Sequence, residues 1–302
     1  MKILDQFIVK TLPLVPKPIV ARLSKPYIAG DNLDSAMAVC RDLNEKGFRV
    51  TVDILGEFLT NIDQAEESLL GYKQVLEALV ANEIDGNISI KPTFFGLLLQ
   101  LDRCRELLHE LLTLVAKHEN FMRLDMEDTP CTDMTIDLYD AYREEFGPKR
   151  VGIVLQAYLR RTMDDIAAIT ARGQSHFRLC KGIYVEPENL AYQGYEEVRA
   201  NFLECLKAMF DAGAFVGIAT HDDYLVAESE KIIRERGLGP EHYEFQMLLG
   251  VRETLRDQIR AAGHNLRIYV PFGKDWYGYS VRRLKENPAL AGTFFKAMFI
   301  KG

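Results

Sequence analysis

An adjacent pair of arginines, Arg282 and Arg283, follows the run Arg267-Ile268-Tyr269-Val270-Pro271-Phe272-Gly273. The run reads as a short apolar strand ending in a Pro/Gly turn, and the pair as the first turns of a helix. Guanidinium forks bind carboxylates bidentately, so two of them beside tyrosines at a strand mouth point to a site for a small anion. Lys91, Asp125 and Lys181 directly continue apolar runs, where an unpaired charge is costly. Lys91 and Asp125 are therefore expected to pair, and Asp125 to reach Arg282 or Arg283 when the site is empty. The competing use of such groups is a structural salt-bridge network.

These groups need a frame that brings distant segments together. From Arg49 onward, β-rich runs at 49–54, 87–91, 120–125, 151–156, 176–181, 215–220, 243–247 and 266–270 alternate with stretches of helical period. Between 97 and 115, apolar residues recur at three- and four-residue steps, as on a helix that covers one face of a sheet. Eight such units match a (β/α)8 TIM-type barrel, typically about 250 residues. Residues 1–48 read as an amino-terminal helical arm, with a helix over 32–46 stopped at Gly47, and 49–302 as the barrel. Active sites of such barrels lie at the carboxyl ends of the strands. Those ends carry Asp53, Lys91, Asp125, Gln156, Lys181, Thr220 with His221, Gln246 and Tyr269. Arg178 and Lys181 stand at odd spacing, so they share a face only if Lys181 lies past its strand.

Composition narrows the function. The chain has 302 residues and a net charge of −7, with no basic stripe, which excludes nucleic acid as a partner. Five scattered cysteines form no metal or disulfide pattern and are expected to be reduced. No apolar run reaches the length of a membrane span. An acidic residue and prolines interrupt what would be an export signal, so a cytoplasmic protein is expected. The apolar residues of the amino-terminal arm could add peripheral docking at the inner membrane.

The ordered blocks ISIKPT at 88–93, LDMED at 124–128, VLQAY at 154–158, RLCKGIY at 178–184, IATH at 218–221, EFQM at 244–247 and the stretch 267–283 resemble the proline dehydrogenases, specifically the monofunctional bacterial type. The resemblance implies a distorted (β/α)8 barrel with a final helix over its carboxyl-terminal face. It implies FAD, oxidation of L-proline to Δ1-pyrroline-5-carboxylate by hydride transfer to the flavin N5, and a membrane quinone as electron acceptor. A separate pyrroline-5-carboxylate dehydrogenase would take the product. By the same motifs, Asp125 and Arg178 are the catalytic positions. Lys91, Arg282 and Arg283 bind the substrate, with Leu179, Tyr184, Tyr269 and Tyr279 walling its ring. Met126, Gln156, Arg178, Lys181, Gly182, Ile183, Thr220, His221 and Glu286 contact the cofactor. The residues alone leave two other readings: a Schiff-base barrel aldolase using Lys91 or Lys181, and a barrel that only binds an amino acid.

Overall fold

The structure, a computed structural model, describes residues 24–56 and 59–280 together with Val20 and Arg22. Eight parallel strands close into one barrel in chain order. They are β1 (Arg49–Ile54), β2 (Gly86–Ile90), β3 (Met122–Leu124), β4 (Val151–Gln156), β5 (His176–Cys180), β6 (Phe215–Ala219), β7 (Tyr243–Leu248) and β8 (Leu266–Phe272). A helix α1 (Leu33–Glu45) precedes β1. Crossover helices α2 (Asp63–Ala81), α3 (Leu101–Lys117), α4 (Thr129–Phe146), α5 (Thr162–Thr170), α6 (Tyr195–Asp211), α7 (Asp223–Glu235) and α8 (Glu253–Ala261) follow the first seven strands.

The boundaries have local causes. Asn32 caps α1 by accepting the Ser35 amide at 3.0 Å, and Gly47 at φ +79° ends it. Pro92 brings no N–H for a continuing ladder, so β2 stops at Ile90 and Lys91 begins a 3-10 turn over Pro92–Phe95. Gly96, left-handed at φ +82°, closes that turn, so the helix expected from 97 starts only at Leu101 and leaves Leu98 and Leu99 exposed. Lys91, Asp125, Lys181 and Thr220 all stand one residue past their strands.

α1 packs on β8 and β1, so this part of the amino-terminal arm is one of the barrel's outer helices. The Ala29 amide donates to the Pro271 carbonyl, and the Gly273 amide to the Gly30 carbonyl. The chain after β8 turns helical at Trp276 and sets Trp276 and Tyr279 against Leu55 and Val251, which follow the carboxyl ends of β1 and β7. That segment therefore starts over the barrel mouth. No helix among the described residues is long and apolar enough to cross a membrane.

Strand alternation sorts side chains by polarity. Val50, Val52, Ile88, Ile90, Phe177, Leu179, Val216, Ile218, Phe245 and Ile268 face the helices in one continuous apolar core. The inward positions hold Asp53, Ser89, Arg123, Arg178, Glu244, Gln246 and Arg267, all nearly inaccessible to solvent. Branched apolar residues usually fill a barrel of this kind; here charge and hydrogen bonds do. Two glycines make room for the long polar chains. A Cβ on Gly152 would lie 2.5 Å from the Arg123 guanidinium, and one on Gly217 2.4 Å from the Gln246 amide.

The alternation also corrects one expectation. Arg178 points inward, so Leu179 points outward; it is fully buried among core residues and pairs in register with Leu155 and Ile218. Leu179 packs the scaffold and does not wall a pocket inside the barrel. Leu179→Ala should lower the unfolding free energy in urea by about 2–5 kcal/mol, the range for large-to-small changes in a core. A variant as stable as the parent would contradict this packing.

Candidate active site

The strand ends build three polar clusters around the barrel mouth. In the first, Lys91 donates to both carboxylate oxygens of Asp53, at 3.1 and 3.0 Å. Tyr72 of α2 brings its hydroxyl to 3.1 Å from Asp53 Oδ1 and 3.0 Å from the Ser89 carbonyl, and accepts the Ile54 amide at 3.1 Å. Burial raises the Asp53 carboxyl above its ordinary range; the attraction of Lys91 only partly offsets it, and the charge of Asp125 adds to the rise. The expected pairing of Lys91 with Asp125 is corrected accordingly. Lys91 salt-bridges Asp53 on the neighbouring strand, while Asp125 lies against Arg178 and Tyr269.

Arg178 centres the second cluster. Its Nη1 donates to Asp125 Oδ1 at 2.5 Å and to Ser89 Oγ at 3.0 Å, and its Nε donates to Gln246 Oε1 at 2.5 Å. Tyr269 donates to the other oxygen of Asp125 at 3.1 Å, and its ring lies 5.4 Å from the guanidinium carbon. Burial lifts the Tyr269 hydroxyl well above the usual phenol range, helped by the negative charges of Asp125 and Asp53. Tyr269 is thus a neutral donor at any pH of interest.

The third cluster lies past β5 and β6. Lys181 Nζ stands 3.2 Å from Asp222 Oδ2, which also accepts Tyr195 Oη at 2.6 Å and Arg199 Nε at 3.0 Å. Arg199 Nη2 reaches the other oxygen at 2.8 Å. Burial alone would raise the Asp222 carboxyl, but hydrogen bonds from Arg199, Tyr195 and Lys181 outweigh it and hold the group below its ordinary value. Asp222 also caps α7 through the Tyr224 amide. Gly182, beside Lys181, has φ +107°, and a Cβ there would meet the Tyr158 ring at 2.1 Å; only glycine fits.

The remaining expected residues fall around these clusters. Gln156 donates to the Glu127 carbonyl at 2.9 Å, and Met126 is buried in the adjoining core. Thr220 Oγ1 accepts the Asp222 amide at 3.2 Å, and His221 Nε2 accepts the Leu248 amide at 2.9 Å, which leaves its ring proton on Nδ1. Ile183 is exposed and Tyr184 half-buried in the loop after β5. Tyr279 belongs to the segment over the mouth. Arg282, Arg283 and Glu286 lie outside the described residues. Sequence reading assigned no role to Ser89, Tyr72, Glu244 or Asp222, and placed Asp53 and Gln246 only as strand ends. The two-residue period ties Gln246 and Glu244 to one face, but the hydroxyl of Tyr72 sits on an apolar helix stripe with no signal at all. Among the described residues no group of His, Cys, Asp and Glu is arranged to hold a metal ion.

A profile described as "Proline dehydrogenase" matches residues 36–295. Proline dehydrogenase 2 of Bacillus subtilis (strain 168) is 34% identical over 271 residues, covering 90% of this chain and 88% of the relative. The proline dehydrogenase of Deinococcus radiodurans is 31% identical over 287 residues, covering 93% and 91%. A solved structure of proline utilization A (PutA) from Bdellovibrio bacteriovorus inactivated by N-propargylglycine superposes with a TM-score of 0.82 at 25% identity. The match takes in 90% of this chain and 34% of that longer one.

The Asp222 cluster generates a pH prediction. A carboxylate whose folded pKa is depressed contributes stability that is full above its ordinary value of 3.8 and is lost as pH falls below it. Asp222→Asn should therefore melt below wild type at neutral pH, with the gap closing in acid below about pH 4. A gap in melting temperature that stays constant down to about pH 3 would show that the ionised carboxylate is not what the cluster depends on.

Proposed function

The chain belongs to the proline dehydrogenase family, and on that footing we propose that it oxidises L-proline to Δ1-pyrroline-5-carboxylate at the barrel mouth, as the first step of proline catabolism. The observation that carries the reading is the position of Arg178. It is buried at the centre of the mouth, held by Asp125, Ser89 and Gln246 from three other strands, with Tyr269 beside it.

The residues past β4, β5 and β6 fit FAD by the chemistry of their groups. The positive charge of Lys181, the bare backbone at Gly182 and the polar groups of Gln156, Thr220 and His221 lie along one arc of strand ends, suited to phosphates and a polar ring edge. Met126, Ile183 and Glu286 complete the proposed contacts. Bound there, FAD would supply a hydride acceptor for proline C5, with a membrane quinone as the proposed onward acceptor of the electrons. The protein's own part is positioning and exclusion of water. Arg282 and Arg283 bind the proline carboxylate with Lys91 beside them, and Tyr184, Tyr269 and Tyr279 surround the ring. Asp125 fixes Arg178 and Tyr269 at once, so one carboxylate sets the orientation of both neighbours. Proline loses the C5 hydride and one nitrogen proton, giving the C=N bond of the product. A pyrroline-5-carboxylate dehydrogenase is the partner that would consume it, and peripheral membrane contact would bring the quinone within reach.

The Schiff-base alternative asks for an unengaged neutral amine. Lys91 is instead hydrogen-bonded to both oxygens of Asp53, and Lys181 to Asp222. Purified protein reconstituted with FAD should be yellow and lose its flavin absorbance when L-proline is added without oxygen. A protein that takes up no flavin, or whose flavin stays oxidised with proline, would refute the proposal. Arg283→Met should raise KM for proline by about tenfold or more while FAD stays bound, because it removes a carboxylate fork. An unchanged KM would remove Arg283 from the substrate site.

A further inference from the structure

A carboxamide between a group that can only donate and a group that can only accept has one orientation that satisfies both. Gln246 is in that position. Its Oε1 accepts from Arg178 Nε at 2.5 Å, and its Nε2 donates to Glu244 Oε1 at 2.7 Å. Glu244 cannot turn away. Arg267 grips both of its oxygens, at 2.6 and 3.1 Å, and is itself anchored to the Val50 carbonyl at 2.7 Å. Burial would raise the Glu244 carboxyl, but Arg267 and the Gln246 amide outweigh it and keep it ionised.

The space for this amide comes from the next strand. Gly217 of β6 stands in register between Arg178 and Glu244. A Cβ there would lie 2.4 Å from Gln246 Nε2 and 2.8 Å from its Cδ, with both ends of the amide already committed. A polar chain thus runs up the barrel interior from Arg267 through Glu244 and Gln246 to Arg178 and Asp125. We infer that Gln246, oriented by Glu244 and admitted by Gly217, is the positioning residue that sets the Arg178 guanidinium against Asp125. It acts through Arg178 and is not itself a catalytic residue. The inference rests on the reading that Arg178 works at the proline site.

Gln246→Ala and Gly217→Ala test it in the full chain reconstituted with FAD, by steady-state kinetics with L-proline. Each should lower kcat by about tenfold or more, since small misplacements of a reacting constellation have effects of that size. KM should move less than about twofold, because the proposed carboxylate ligands are untouched. Gly217→Ala keeps every polar group and decides the matter if Gln246→Ala does not fold. The double variant separates positioning from packing. With the amide gone, the added methyl at 217 has nothing to displace, so Gly217→Ala should cost no further kcat in the Gln246→Ala background. Wild-type turnover with an undiminished kcat in Gly217→Ala, or multiplicative losses in the double variant, overturns the positioning role alone. Absence of turnover in wild type overturns the underlying reading and this inference with it.

Discussion

Burying one guanidinium constrains most of the barrel interior. Arginine cannot shed its proton and has no acceptor, so each neighbour of Arg178 must present oxygen. Ser89, Asp125 and Gln246 do so from β2, the end of β3 and β7, three segments that meet only because the sheet closes. Each of these commitments propagates. Asp125 holds Tyr269, and Gln246 must turn its nitrogen to an acceptor, which Glu244 supplies. Glu244 in turn brings a second buried arginine, Arg267. A half-satisfied network of this kind would be worse than an apolar core, so the interior residues are determined as a set.

Stability and chemistry are consequently divided between the two faces of each strand. The outward residues form the apolar core with the helices, a term that grows with buried area. Buried ion pairs contribute little to stability on balance, because desolvation cancels much of their attraction. The polar interior is better understood as a device for orientation. Gly152 and Gly217 fit that account, since each gives up a packed side chain so that a long polar one can cross.

The same division explains what could be read from the sequence. Runs such as 151–156 are continuous and β-branched because both faces are buried, and their limits were legible to the residue. The strand-end residues were legible too, because a charge directly after an apolar run has few other places to be. Pairing was not. Lys91 and Asp125 stand on consecutive strands, yet Lys91 salt-bridges Asp53 on its other side, and which side a cation turns to depends on lateral register, which no local pattern encodes. Leu179 was a different failure. The parity that sends Arg178 inward sends Leu179 outward, so the information was present and the motif alone obscured it. Gln246 was visible as a strand end, but its dependence on Gly217 required the neighbouring strand in place.

Charge at the mouth bears on the proposed substrate. Among the described residues there, Lys91 pairs with Asp53 and Arg178 with Asp125, so these four groups cancel in pairs. A zwitterion entering such a pocket finds its carboxylate opposite cations that are already engaged. Taking one of them would strand Asp53 or Asp125 without its counter-ion in a site too dry to compensate. Binding therefore calls for positive charge beyond these pairs. In the proposed function the Arg282 and Arg283 doublet, a few residues along the sequence past the segment that begins over the mouth at Trp276, is the source of that charge. On that argument the proposed carboxylate role of the doublet adds to two pairs, Lys91 with Asp53 and Arg178 with Asp125, whose charges already cancel.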